Sequence, residues 1–377
     1  MKNLSLALCM IIMGTPSFLQ CSVINNTEFD AYIRQAISDA GIAGMGIAIV
    51  SGDSIVFNKG YGYADIKNGR PFTPHTVMNI ASISKTFIGV AIMQAVEDNL
   101  IDLDDDVNKI LPFQVANPNS PESIITLRHL MSHMSGIRDE KTTYFGSYHY
   151  GEDSPIPLGQ FLEDYLSPKG RYYSKNNFTD HGPGEKHEYS NIGAGLAGYI
   201  LEIVKEAPLN VITQKTIFEP LGMQNTCWFL SEMEISKHSK LYESKDDNKA
   251  FKELPLYGLT TYPDGGLRTT ITDLSYYLLC MMNYGSYRGK QILREESVVD
   301  MLEPDHIDSY AKFWTIGDKI GHGGADPGVN TSMFFDPKDN LGVIIFINTS
   351  SYGNFEQAEK RIQEFSKTIL LPLKKLF

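Results

Sequence analysis

The chain has 377 residues, of which 42% are hydrophobic and 21% are charged, so its composition is that of a folded protein with a sizeable core. It carries 45 acidic and 33 basic side chains, for a formal net charge of −12. This balance argues against nucleic acid or an anionic membrane surface as partner, because both require clustered basic residues.

The N-terminus has the pattern of an export signal. Lys2 precedes an apolar stretch over residues 4–13, which Thr15 then interrupts. The stretch is too short to span a bilayer but typical of a signal peptide, which we expect over residues 1–21. A buried N-terminal helix is the alternative. We therefore expect an exported mature chain that is periplasmic, secreted or lipid-anchored at the cell envelope, with Cys21 as the candidate anchor and no later transmembrane segment.

Hydrophobic periodicity predicts the main elements in chain order. They are a helix over 27–40, strands over 44–50 and 54–60, a helix over 82–98, a short helix over 158–165, strands over 332–335 and 342–348, and a final helix over 354–371. Strands near both termini predict one antiparallel sheet flanked by helices, an α/β (α+β) arrangement. The mainly helical sequence between them predicts an insertion over residues 126–261, between two parts of a sheet domain over 22–125 and 262–377.

The longest stretch without a clear period covers residues 139–188 and is rich in aromatic side chains. A connection of this length is usually functional or mobile. The aromatic residues either line a cleft or pack the segment against the rest of the protein, and the sequence leaves both interpretations open.

The strongest local motif pairs Ser82 with Lys85 at the start of an apolar helix. A spacing of three places both side chains on one helical face. A serine hydroxyl is a weak nucleophile until a base takes its proton, and an amine one turn away can serve if its surroundings lower its pKa. An N-cap serine followed by a surface lysine is the plain alternative, and Ser309 with Lys312 has the same spacing.

Two further motifs follow in the chain. Tyr189 and Asn191 precede a predicted helix; a tyrosine near an ammonium can act as a base, and the amide can bind a lysine or substrate. His322, Gly323 and Gly324 open a glycine-rich segment whose backbone can approach a ligand closely. Taken singly, each pattern occurs elsewhere in this chain, at Tyr352 with Asn354 and at His149 with Gly151.

In this order, S-x-x-K, Y-x-N and H-x-G resemble the serine β-lactamase-like family, which includes class C β-lactamases, DD-peptidases, D-amino-acid peptidases and β-lactamase-related esterases. The resemblance extends over roughly residues 28–350, including segments 101–107, 127–137, 218–223 and 265–267. It implies the β-lactamase/transpeptidase-like fold: an α/β/α sandwich with a helical domain and the site between them.

The resemblance also implies roles for individual residues. Ser82 would be the acylated nucleophile, Lys85 its proton partner and Tyr189 the general base. Asn191 would bind the lysine and the substrate. Backbone N–H groups of Ser82 and Ala325 would form an oxyanion hole, with His322, Gly323 and Gly324 beside the substrate.

Two positions depart from the class C β-lactamase pattern. His322 stands in the place of a lysine and Gly323 in the place of a threonine. A histidine with an ordinary pKa of about 6.5 is largely uncharged at neutral pH and anchors a substrate carboxylate poorly. We expect that lowering the pH toward 6 would charge His322 and favour carboxylate-bearing substrates.

Neither a metal nor a cofactor is expected. His129 and His133 have a helical spacing that can bind zinc, but no H-E-x-x-H motif or obvious third ligand accompanies them. We expect His133 instead to orient buried backbone near the site. The four cysteines form no C-x-x-C pair.

The sequence therefore predicts an exported serine hydrolase that forms an acyl-serine intermediate on a small-molecule or peptide substrate with an amide or ester bond. An esterase or peptidase is favoured. A penicillin-binding DD-peptidase or a β-lactamase is the alternative within this class, and a catalytically slow cell-wall peptide-binding module is the alternative outside it.

Overall fold

The computed structural model describes residues 26–245 and 250–351. The predicted signal peptide over 1–21, Cys21 and the predicted helix over 354–371 lie outside these residues. The strands are β1 Gly44–Ser51, β2 Ser54–Asp65, β3 Arg70–Pro71, β4 Met78–Asn79, β5 Tyr148–Tyr150, β6 Leu241–Lys245, β7 Ala250–Leu254, β8 Tyr257–Leu259, β9 Arg268–Thr269, β10 Ser286–Tyr287, β11 Lys290–Gln291, β12 Ile320–Asp326, β13 Val329–Asp336, β14 Leu341–Ile347 and β15 Thr349–Ser351.

The α-helices are α1 Asn26–Asp39, α2 Ser84–Glu97, α3 Leu127–Met131, α4 Lys141–Phe145, α5 Leu158–Leu166, α6 Asn191–Lys205, α7 Leu209–Thr213, α8 Glu219–Leu221, α9 Ile271–Met282 and α10 Glu295–Leu302. Short 3₁₀ turns lie at Ala81–Ile83, Val107–Lys109, Lys175–Asn177, Leu230–Glu232, Ile235–Lys237 and Tyr262–Asp264, and a π-helical turn lies at Gln214–Phe218.

An antiparallel sheet with the order β12-β13-β14-β1-β2-β3 forms the framework. Its central pair joins the two ends of the described chain, since Met45 lies opposite Ile347 and Ser51 opposite Leu341. The predicted sheet from both termini is therefore confirmed. The predicted hairpin is also confirmed, with Asp336 opposite Leu341, although its strands are longer than the sequence pattern indicated.

Both faces of the sheet are covered, because β1 is apolar on both sides. Met45, Ile47 and Ile49 pack with Ile33 and Ile37 of α1. The alternate residues Ala48 and Val50 belong to the larger core, which also contains the inward face of α9. A strand that is buried on both faces has a continuous apolar sequence, and residues 44–50 have this pattern. The result is the α/β/α layering of the β-lactamase/transpeptidase-like fold.

Helix α2 lies at the centre of the molecule. Eleven of its fourteen residues, including Lys85, are buried, as expected for a helix that is apolar around its whole circumference. Phe87 stacks on Tyr277 of α9 with ring centroids 3.9 Å apart. The N-terminal half of α2 thereby packs against α9.

The region between the two parts of the sheet domain contains α3 to α8, together with the short strands β5 to β8. The short helix predicted over 158–165 is confirmed as α5. The domain boundaries at 126 and 261 stay a prediction. Within the described residues, the helices include none that combines the length and apolar character needed to cross a membrane.

Candidate active site

Ser82 lies in the 3₁₀ turn Ala81–Ile83 that leads into α2, one turn earlier than the regular helix itself. The preceding Ala81 has a left-handed backbone conformation, with φ of 47°. Ile80 fixes the turn from both sides: its N–H donates to Leu267 O, and its carbonyl accepts from Thr331 Oγ1 at 2.8 Å. Strand β13 and the segment before β9 therefore hold Ser82 at the edge of the cleft.

Lys85 has no exposed surface, and three groups surround its Nζ. It donates to Asn191 Oδ1 at 2.7 Å, to the Asp264 carbonyl at 2.6 Å and to Ser82 Oγ at 3.0 Å. The first two partners can only accept hydrogen bonds. A neutral amine would direct its two N–H bonds at them, which leaves its lone pair toward the Ser82 hydroxyl.

Tyr189 and Asn191 flank the N-cap of α6. Ser190 caps this helix by accepting from Gly193 N at 2.9 Å, which orients Asn191 toward Lys85. The Tyr189 ring lies 5.0 Å from Lys85 Nζ. Among the hydrogen bonds of the described residues, none joins the Tyr189 hydroxyl to Ser82 or Lys85, so its predicted role as general base stays a prediction.

Asp139 is a site residue that the sequence analysis missed. Its Oδ2 accepts from the Asn191 backbone N at 2.8 Å and from Asn191 Nδ2 at 2.9 Å. Its Oδ1 accepts from Ser190 Oγ at 2.9 Å and from Ile192 N at 3.0 Å. By holding the amide NH₂, Asp139 leaves Asn191 Oδ1 for Lys85. A capping carboxylate from 52 positions earlier in the chain has no local sequence signal.

His133 orients backbone next to the site, as the sequence analysis expected. Its Nδ1 accepts from Ser190 N at 3.2 Å, and its ring stacks against Tyr189 with centroids 4.1 Å apart. Burial and the nearby Lys85 hold the pKa of His133 well below the ordinary value, so it stays neutral. The helical spacing assumed for His129 and His133 is wrong, because α3 ends at Met131 and His133 has φ of 56°.

The ring of His129 lies next to that of His306, with centroids 5.5 Å apart. In the described part of the chain, no group of three or more His, Cys, Asp or Glu side chains is arranged to hold a metal ion.

His322 differs from the expectation of a residue that titrates near pH 6. It is 5% exposed; its Nδ1 lies 2.5 Å from the Gly323 carbonyl and its Nε2 lies 3.0 Å from the Tyr310 hydroxyl. The carbonyl can only accept, so Nδ1 carries the proton and Nε2 accepts from Tyr310. Burial, assisted by the charge of Lys85, lowers the pKa of His322 to about 4. The imidazole is thus neutral at pH 6 and above.

Gly323, Gly324 and Ala325 lie on β12, the edge strand of the sheet. A Cβ on Gly324 would stand 2.4 Å from Ile80 O and 2.5 Å from Thr331 Oγ1, so only glycine lets this strand approach the Ser82 turn. A Cβ on Gly323 would meet nothing closer than Thr331 O at 3.7 Å. The Cβ of a threonine, the residue that class C β-lactamases carry at this place, would therefore fit here without a close contact to the backbone.

Ser82 opens onto a cleft with about 430 Å³ of open space. Its lining combines the site residues with aromatic and acidic side chains: Ser82, Tyr144, Phe145, Tyr148, Asn191, Asp264, Gly265, Ala325 and Asp326. Lysine and arginine are absent from this lining. The aromatic residues 144–148 come from the segment over 139–188, part of which thus walls a cleft.

Burial changes the acidity of the two lining carboxyl groups. It raises the pKa of Asp264 to about 7 and that of Asp326 to about 6, while the positive charge of Lys85 opposes both increases. Both carboxyls are ionised at pH 8, so the cleft is then negatively charged.

Comparisons with known proteins agree with this geometry. Residues 29–366 match the family described as Beta-lactamase. Among curated proteins, "Protein flp" of Staphylococcus aureus (strain MRSA252) is 26% identical over 329 residues, which cover 86% of this chain and 63% of flp. The chain thus spans less than two thirds of the length of this relative.

Solved structures show the same fold. The octameric penicillin-binding protein homologue from Pyrococcus abyssi superposes with a TM-score of 0.69 and 25% identity, covering 87% of this chain and 74% of that one. D-amino acid amidase from Ochrobactrum anthropi SV3 superposes with a TM-score of 0.72 and 20% identity, covering 91% and 99%.

The two glycines of β12 provide a matched pair of variants. We expect Gly324→Ala to lower kcat for ester hydrolysis at least about a hundredfold, because the methyl group displaces β12 from the Ser82 turn and a misplacement of about 1 Å costs that much. Gly323→Ala should retain activity within about threefold, because its methyl group finds ordinary contact distances. Steady-state kinetics on folded variants test this. Equal losses of kcat in both variants would contradict a close approach of β12 to the Ser82 turn at Gly324.

Proposed function

The chain belongs to the Beta-lactamase family of serine hydrolases, and we propose that it hydrolyses ester or amide bonds through an acyl-enzyme on Ser82. The observation that carries this proposal is the set of partners around Lys85 Nζ. Asn191 Oδ1 and the Asp264 carbonyl can only accept from it, and Ser82 Oγ lies 3.0 Å away as the one partner that can also give it a proton.

In the proposed first step, Lys85 takes the Ser82 proton as Oγ bonds to the substrate carbonyl carbon. The carbonyl oxygen becomes an oxyanion, for which the backbone N–H groups of Ser82 and Ala325 are the proposed donors. When the oxyanion collapses, the bond to the alcohol or amine breaks and the proton passes to that leaving group. Water then attacks the acyl carbon and gives one proton to the base. The bond between that carbon and Ser82 Oγ breaks, Oγ takes the proton from the base, and the acid is released.

Tyr189 has a defined place in this proposal. Its ring covers Lys85 and rests on His133, and it is 39% exposed at the mouth of the site. This position suits a hydroxyl that exchanges a proton with the leaving group or with the incoming water. Phenylalanine would preserve the ring contacts, so a Tyr189→Phe variant isolates the contribution of the hydroxyl.

The charge of the cleft supports an esterase or amidase whose substrates lack a carboxylate, rather than a β-lactamase or a DD-peptidase. Substrates of the latter two carry a carboxylate that requires a cation. His322 is neutral, and the lining contains carboxyl groups without Lys or Arg. The position of Lys85 Nζ beside Ser82 Oγ favours this proposal over a slow binding module.

Export to the periplasm, the envelope or the medium is part of the proposal and is supported by the N-terminal sequence pattern alone. A lipid anchor at Cys21 is also proposed from the N-terminal sequence pattern alone. Mass determination of the mature chain after expression in a bacterial host distinguishes cleavage before Cys21 with lipid attachment from simple cleavage.

Ser82 is predicted to be the residue that fluorophosphonates modify. Ser309 is the matched control, because it shares the S-x-x-K spacing but is exposed, and Lys312 Nζ is engaged by Asp300 O at 2.8 Å and Asp305 Oδ2 at 2.9 Å. Peptide mapping should place the adduct on Ser82. Ser82→Ala should lose at least about a thousandfold in kcat, and Ser309→Ala should match wild type. An adduct on Ser309, or turnover by Ser82→Ala, would refute the assignment.

A second prediction concerns substrate charge. We expect p-nitrophenyl 5,5-dimethylhexanoate to exceed p-nitrophenyl 4-sulfobutanoate in kcat/KM about tenfold or more at pH 8, where Asp264 and Asp326 are ionised. The difference in kcat/KM between the neutral ester and the sulfonate should become smaller toward pH 6. Both carboxyl groups have raised pKa values, so they take up protons over this range and repel the sulfonate less.

His322→Gln tests the source of that change. Because the pKa of His322 is about 4, the variant should show the same pH dependence of the anion-to-neutral ratio as wild type between pH 8 and 6. A gain for the sulfonate that occurs in wild type and disappears in His322→Gln would show that the histidine becomes charged and binds the anion.

A further inference from the structure

Two buried carboxyl groups line the cleft beside Ser82, and the proposed acyl transfer uses neither of them. Asp264 is 1% exposed and Asp326 is 7% exposed. The backbone carbonyl of Asp264 accepts a hydrogen bond from Lys85, whereas its carboxyl group makes separate contacts. Buried carboxyl groups are costly to ionise, so their presence in a ligand cleft calls for a partner.

The carboxyl of Asp326 is held by two tyrosines. Its Oδ1 accepts from the Tyr148 hydroxyl at 2.7 Å, and its Oδ2 accepts from the Tyr257 hydroxyl at 2.9 Å. Hydrogen bonds from two hydroxyl groups stabilise the ionised form and fix the orientation of the carboxylate. Strand pairing between β5 and β8 places these tyrosines together, with Tyr148 opposite Leu259 and Tyr150 opposite Tyr257.

The carboxyl of Asp264 is incompletely satisfied. Its Oδ1 accepts from the Tyr144 hydroxyl at 3.0 Å, whereas its buried Oδ2 has no well-directed hydrogen bond from any described residue. The Thr261 hydroxyl lies near enough to lower the pKa of Asp264, but its own oxygen is also without such a bond. A buried acceptor in this state can bind a further donor or a cation.

Aromatic rings complete the cleft on the side of these carboxyls. Tyr144 meets Tyr148 edge to face, with centroids 5.9 Å apart at 89°, and Phe145 lies 5.9 Å from Tyr148. Phe145 is 49% exposed, so it forms the outer wall. Aromatic faces together with carboxylates are the groups that recognise alkylammonium ions.

The charges around the cleft favour the same type of ligand. Lys85 and Arg268 are the cations whose fields reach Asp326, and both are buried and bonded to carbonyl groups. Burial raises the pKa of Asp264, and the negative charges of Asp326 and Asp139 add to that increase. Among the described residues that line the cleft, no lysine or arginine accompanies Asp264 and Asp326.

We propose that the cleft accepts acyl groups that end in a positively charged alkylammonium, with Asp326 and Asp264 as the anionic partners and Tyr144, Phe145 and Tyr148 as the aromatic walls. This inference rests on the proposed role of Ser82, and it names the acyl substrates that this serine would process.

The test compares two esters of equal shape. p-Nitrophenyl 4-(trimethylammonio)butanoate and p-nitrophenyl 5,5-dimethylhexanoate differ by a quaternary nitrogen in place of a carbon. At pH 8 and low ionic strength, wild type should favour the cationic ester about tenfold or more in kcat/KM, mainly through KM. A ratio of one or less in wild type, with the neutral ester hydrolysed, would overturn the proposal.

Three variants locate the effect. Asp326→Asn keeps the shape of the side chain and should lower the cationic-to-neutral ratio at least about fivefold. Phe145→Ala removes an exposed wall and should lower it about threefold. Asp53→Asn removes the same charge from the β1–β2 turn, beyond Ser51 at the opposite end of the sheet from Asp326, and should leave the ratio unchanged. Equal ratios in wild type, Asp326→Asn and Phe145→Ala would also overturn the proposal.

A binding measurement separates this proposal from the catalytic one. Calorimetric titration of butyltrimethylammonium into Ser82→Ala protein requires no turnover, and we expect saturable binding that Asp326→Asn weakens at least about fivefold. If neither ester is hydrolysed, the proposed function of Ser82 fails while this titration still decides the cation site. Absence of binding to a folded Ser82→Ala protein would reject the cation site.

Discussion

The burial of Lys85 is the constraint on which the rest of the site depends. An ammonium or amine with no exposed surface must be supplied with hydrogen-bond partners, and here they come from three parts of the chain: Asn191 at the start of α6, the Asp264 carbonyl before β9 and Ser82 in the turn before α2. The same interactions that satisfy the lysine hold the sheet domain and the helical region in register. The contact between Lys85 and Ser82 is thus part of the hydrogen bonding that makes the burial of the lysine possible.

Groups outside the Ser82–Lys85 pair fix this arrangement. Asp139 uses all four of its hydrogen bonds on residues 190–192, which fixes the orientation of the Asn191 amide. His133 accepts from Ser190 and supports the Tyr189 ring. Gly324 lets β12 come close to Ile80. Each of these contacts fixes the direction or position of a group beside Lys85 or Ser82.

Much of the fold could be predicted from the sequence, because its strands and its buried helix have strong periodic patterns. The order of Ser82 with Lys85, Tyr189 with Asn191, and His322 with Gly324 was enough to suggest the family. Periodicity failed where tertiary contacts decide the conformation. His133 lies beyond the end of α3 in a left-handed conformation, and His322 loses its ordinary pKa through burial against Tyr310, which no local pattern reveals. Asp139 and Asp264 escaped notice because their partners lie 51 to 179 positions away in the chain.

The central claim is that Lys85 remains fixed on Asn191 and Asp264 while Ser82 undergoes covalent chemistry. The most direct measurement is a crystal structure of the phosphonylated enzyme. We expect phosphorus bonded to Ser82 Oγ, its phosphonyl oxygen within hydrogen-bonding distance of the Ser82 and Ala325 backbone nitrogens, and Lys85 Nζ still bonded to Asn191 Oδ1 and the Asp264 carbonyl. Phosphorus on another residue, a phosphonyl oxygen directed to solvent, or a Lys85 side chain that has left Asn191 would contradict it.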